Sequence, residues 1–151
     1  MHNIFIFPIC HPFKLVLLLT SFLILNFTIP QSFAVEYDEL VAKASKIDVQ
    51  FDPDEIVDLL SPHQDDPQNV NTDFFLLLGT AYSTIDRQPD AVKMFRRGLN
   101  INSENIELHH RIGAIYYQRG KLEKAKLHID KCIELDPRHK GCLRWKKIIN
   151  K

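Results

Sequence analysis

The residues able to ligate a metal or attack a substrate are seven histidines and three cysteines in a chain of 151 residues. A helical metal pair needs two histidines four residues apart, so that both rings leave one face. No such spacing occurs. His109 and His110 are adjacent, which on a helix sends them in different directions, and His128 falls on a separate predicted helix. No metal or other cofactor is expected. Residues 35–151 also lack a glycine-rich phosphate loop, a G-x-S-x-G turn and a C-x-x-C pair. These absences argue against an enzyme.

Two further features carry chemistry without a catalytic pattern. Cys132 and Cys142 could form a disulfide if their Cα atoms approach within about 7 Å. Sequence leaves that pairing open. Residues 138–151 hold six Lys/Arg and no acid. Such a run could touch an anionic surface, but a short basic stretch is commonly a solvated face.

The elements that must position these residues follow from a repeat. Shifted by 34 residues, the chain lands on itself. Leu78 meets Ile112, Gly79 meets Gly113 and Tyr82 meets Tyr116. Ala91 meets Ala125, Phe95 meets Ile129, Leu99 meets Ile133 and Ile101 meets Leu135. Apolar residues at helical spacing predict helices over 73–85 and 89–100, with a turn at 86–88. Gly79 inside the first helix costs about 1 kcal/mol against alanine, so close packing explains it better, with Ala91 as the facing small residue. The second copy is predicted to begin at a Ser103 cap and run to Arg119. Gly120 then ends that helix, and residues 121–135 form the next one, stopped by Asp136-Pro137. Cys132 stands where this plan wants a small buried residue.

Residues 106–139 (IELHHRIGAIYYQRGKLEKAKLHIDKCIELDPRH) resemble a tetratricopeptide repeat in Gly113, Tyr116, Gly120, Ala125 and Pro137. Residues 72–105 resemble a second copy, departing at Asp86, Gly98 and Ser103. The resemblance implies an all-α fold, a short right-handed α-solenoid of helical hairpins. It also implies a concave face, lined by each first helix, that binds a peptide or partner protein. By motif position that face comprises Asp73, Leu76, Thr80 and Ser83 in one repeat. In the other it comprises Glu107, His110, Arg111, Ala114, Tyr117 and Gln118. Leu76 and Thr80 stand where some relatives grip a peptide carboxylate, so no such clamp is expected, although Arg111 alone could pair with one.

Two repeats bury too little by themselves, so the flanks must contribute. Residues 36–61 read as a degenerate hairpin whose second helix starts at an Asp52 cap followed by Pro53. Residues 63–72 are polar and turn-rich, a linker completing a 35–71 segment. Residues 140–151 read as a basic capping helix. Residues 1–34 carry one charge, Lys14, and an apolar run over 15–27. With Ser32-Phe33-Ala34 behind it, this reads as a signal peptide cut after Ala34, and so as export to the periplasm or exterior. The alternative is an uncleaved membrane anchor over residues 13–29, at the lower limit for a span. Export argues against nucleic acid as a partner, and a short groove would be lengthened by a homodimer. Residues 35–73 hold 11 acids against 2 bases, and residues 74–151 hold 8 acids against 16 bases.

Overall fold

The computed structural model describes residues 32–150. The apolar run at 15–27 and the candidate span at 13–29 lie outside the described residues. Among the described residues seven α-helices follow one another: α1 (Ser32–Ala44), α2 (Pro53–Leu60), α3 (Thr72–Thr84), α4 (Gln88–Ile101), α5 (Ile106–Gln118), α6 (Leu122–Leu135) and α7 (Lys140–Ile149). There is no strand among the described residues. None of these helices is long and apolar enough to cross a membrane. α3 pairs with α4 and α5 with α6, α4 packs on α5 and α6 on α7, and α1 and α2 lean on α3. The fold is therefore an α-solenoid in which each hairpin stacks on the next.

Local chemistry sets the helix ends. The side chain of Asn71 caps α3 by accepting from Phe74 N at 2.9 Å, and Asn105 caps α5 by accepting from Leu108 N at 3.0 Å. Asn105 thus replaces the expected Ser103 cap, because Asn102 takes Glu104 N at 3.1 Å and turns the chain two residues further on. Asp52 makes no side-chain cap bond to α2, and Pro53 alone opens that helix. α1 begins at Ser32, before its expected start at 36, and so runs through Ala34.

Both hairpin turns close in the same way. Arg87 N donates to Tyr82 O and Lys121 N to Tyr116 O, each at 2.8 Å. The residue between helix and turn must then be left-handed. Asp86 takes φ 60° and Gly120 takes φ 69° at equivalent repeat positions.

The helix crossings explain the glycines. A Cβ on Gly79 would lie 2.6 Å from Phe95 Cδ1, and one on Gly113 would lie 2.6 Å from Ile129 Cδ1. Both glycines therefore mark the same crossing point. The side chain that needs the space is Phe95 or Ile129 rather than the expected alanine.

Segment 63–72 is a docked turn rather than a free linker. Its Asp and Asn side chains fold back on their own backbone, with Asp66 taking Gln68 N at 2.8 Å and Asn69 taking Asn71 N at 3.1 Å. Tyr37 O–H donates to Asp66, and Arg97 donates to Gln64 O and pairs with Asp65 at 3.0 Å. The Arg97 guanidinium also lies 4.8 Å above the Phe75 ring. The acidic first half is thereby tied to α4.

The main core runs from Tyr37 through Phe74, Phe75, Leu78, Phe95, Leu108 and Ile112 to Ala125. Burying one such large apolar side chain contributes about 1.5–3 kcal/mol. A smaller cluster of Ile129, Cys132 and Cys142, flanked by Trp145 and Ile149, joins α7 to the last hairpin.

Candidate functional site

The 34-residue register carries through α7. Asn71, Asn105 and His139 occupy successive cap positions, and His139 Nδ1 accepts from Cys142 N at 3.2 Å. α7 is thus a truncated first helix of a third repeat, which packs on α6 and also touches α5. The repeat-equivalents of His110, Arg111 and Ala114 on α7 are Arg144, Trp145 and Ile148. Reading residues 140–151 only as a cap hid these positions. Continuing the register one more step would have found them.

The structure sorts the ten face residues. Asp73 and Gln118 are exposed, while Leu76, Ser83, Glu107, His110, Arg111, Ala114 and Tyr117 are partly buried. Thr80 is buried and its hydroxyl donates to Leu76 O at 2.7 Å, so it is spent within α3 and does not offer a contact. Arg111 is not a free cation, because its Nε donates to Glu107 at 2.6 Å. Glu107 also faces His110 Nδ1 at 3.6 Å. The nearby His110 first, and then the Arg111 hydrogen bond, outweigh partial burial and hold the Glu107 carboxyl down at about 2. Tyr117 packs on Trp145 with ring centroids 5.1 Å apart. Gln118 meets Gln88 of the preceding hairpin at 3.4 Å.

Folding brings histidines together that spacing keeps apart. His109 is buried, with Nε2 3.0 Å from Ser103 O and Nδ1 3.1 Å from His128 Nδ1. Burial, then the charges of His109 and Arg96, push His128 down to about 4. Cys132 and Cys142 are joined as a disulfide with Cα atoms 6.3 Å apart. Each of Cys132, His139 and Cys142 offers a ligand atom within 4.8 Å of the other two, and Glu107, His110 and His139 form a second such group. Histidine spacing gave no sign of either, because one donor of each group comes from another element; the signal for the first was the C-x6-H-x2-C order at 132–142.

Comparison with known proteins agrees with this register. Residues 106–139 match the family model for the tetratricopeptide repeat. The chain is 37% identical over 62 residues to the anaphase-promoting complex subunit CDC16 of Saccharomyces cerevisiae, a match covering 41% of this chain but 7% of that protein. Among solved structures it resembles the first TPR of Spaghetti (RPAP3) bound to the HSP90 peptide SRMEEVD, with TM-score 0.69 and 22% identity over 76% of this chain and 90% of that one. It also resembles the first TPR domain of human RPAP3, with TM-score 0.67 and 23% identity over 76% and 89% of the two chains.

Proposed function

The chain is a tetratricopeptide-repeat protein, and from that premise we propose that it is a protein-interaction module rather than an enzyme. It holds an extended segment of a partner protein along the face shared by α3, α5 and α7. The observation that carries this reading is the Tyr117–Trp145 pair, which sets two half-exposed aromatic rings side by side at face positions of successive repeats. Aromatic side chains of this kind anchor interfaces at low entropic cost. A similar fold bound to a peptide, in the RPAP3 structure, supports the same reading. The segment it takes carries apolar side chains for the two rings.

Trp145 is the one tryptophan in the chain, so its emission reports directly on this face. Peptides selected from an array are expected to shift that emission on titration. Tyr117→Ala should weaken them at least about tenfold, or about 1.4 kcal/mol. Unchanged binding in Tyr117→Ala combined with Arg111→Ala would reject the face.

Residues 1–34 serve, in this reading, as an export signal that places the repeats outside the cytoplasm. A disulfide between Cys132 and Cys142 suits an oxidising compartment. In the second reading residues 13–29 tether the chain to a membrane as an assembly subunit. A native N-terminus at Val35 by mass spectrometry favours export and excludes the tether, and a Met1 start in the membrane fraction does the reverse.

A further inference from the structure

We propose that Cys132, His139 and Cys142 form a redox-gated site for a thiophilic divalent cation of the zinc class. The disulfide and the metal site are its two exclusive states.

The argument starts from the repeat. At the first two cap positions the chain uses Asn71 and Asn105, each accepting from the N–H three residues on. At the third it uses His139, which makes the same cap bond. Asparagine suffices for the cap, so the imidazole adds something the cap does not require. His139 Nδ1 lies 3.1 Å from Cys142 Sγ and 3.6 Å from Cys132 Sγ, and its one lone pair serves the cap in the disulfide state and the cation in the metal state.

The two cysteines are also repeat substitutions. Cys132 and Cys142 stand where the preceding repeat has Gly98 and Leu108, which pack together. The fold therefore brings these two positions into contact in any case, and both sulfurs are fully buried. A soft cation with bonds of about 2.3 Å to sulfur and 2.0–2.1 Å to imidazole prefers this donor set and a tetrahedral arrangement. Tetrahedral angles would hold the sulfurs about 3.8 Å apart, within reach of side-chain rotation from Cα atoms 6.3 Å apart. His110 stands beside His139 with ring centroids 5.1 Å apart and supplies a fourth donor or orients a bound water. Gly141 makes room for the His110 ring in that corner, since a Cβ there would lie 2.7 Å from His110 Nε2.

The interconversion balances with a low-molecular-weight disulfide as oxidant. The two thiolates lose two electrons and form the Cys132–Cys142 bond. The oxidant's S–S bond takes those electrons and leaves as two thiolates, and the cation is released. A dithiol reductant reverses the exchange.

The test uses purified full-length chain, reduced and then freed of reductant under anaerobic conditions. One zinc ion per chain should bind in competition with a chromophoric chelator, and cobalt should give thiolate-to-metal charge-transfer bands. Adding oxidised glutathione should release the metal as the disulfide forms. His139→Asn is the decisive variant. It keeps the cap that Asn71 and Asn105 make, so it should fold and form the disulfide, yet bind zinc at least tenfold more weakly. A reduced chain that unfolds without zinc and refolds with it also supports the site. The proposal is overturned by a reduced chain that takes up no stoichiometric zinc, by one that stays unfolded with or without it, or by His139→Asn binding as tightly as wild type.

Discussion

Asp86 and Gly120 do the same job with different freedom. Both close a helix in the left-handed region, at φ 60° and 69°. An L side chain there is disfavoured by roughly 1–2 kcal/mol, with aspartate among the few types that tolerate it. The Asp86 side chain is exposed. Asp86→Gly should therefore stabilise the protein by about 0.5–1 kcal/mol in chemical denaturation, since the native φ suits glycine. Gly79 is the opposite case. Alanine would gain about 1 kcal/mol of helix propensity, but its Cβ would overlap the fully buried Phe95 ring. Overpacking of a tight core costs typically 1–3 kcal/mol. Gly79→Ala should come out net destabilising, and Gly79→Ala with Phe95→Leu should recover part of the loss in the same assay.

Among the elements, α7 depends most on a single link. It is a ten-residue helix with one buried residue, Cys142, so little apolar burial holds it. The Cys132–Cys142 bond closes a loop with a sequence separation of 10, which in the chain-entropy account is worth about 3 kcal/mol. With a chelator present, reducing that bond should lower stability by about 2–3 kcal/mol and quench or shift Trp145 emission as α7 loosens. Cys132→Ser with Cys142→Ser should show the same loss and no response to reductant. The elements themselves were largely legible, because a 34-residue period with paired glycines, tyrosines and alanines leaves few ways to pack. The caps were harder to read. Ser103 looks as suitable as Asn105, and only the turn at Asn102 decides which residue faces the start of α5, while Asp52 holds the cap position of α2 without making the cap bond. The face was legible in register, and the two contacts that spend Thr80 on Leu76 and Arg111 on Glu107 each lie four residues apart on one helix, within reach of local reading; what no local pattern shows is the Tyr117–Trp145 contact between helices.

For the whole molecule, pairing of distant helices creates a titrating group that no single element contains. His128 on α6 faces His109 and Tyr116 on α5 and lies near Arg96 on α4, which donates to Tyr116 at 2.7 Å. Lys124 on its own helix sits over the Tyr116 ring at 5.8 Å. With burial first and the neighbouring His109 and Arg96 behind it, His128 falls to about 4 from an ordinary 6.5. The unfolded chain therefore takes up a proton below about pH 6.5 that the folded chain refuses until about pH 4. Stability from this group is complete above pH 6.5, falls as pH drops through that window, and levels off below 4. Carboxylate titration dominates below about 4.5, so the diagnostic range is pH 6.5 to 5. Denaturation midpoints should decline over that range in wild type. His128→Gln keeps a polar group opposite His109 but removes the proton uptake, so its midpoints should decline less. Equal slopes for the two proteins would mean that the α5–α6 contact does not exclude the charged ring.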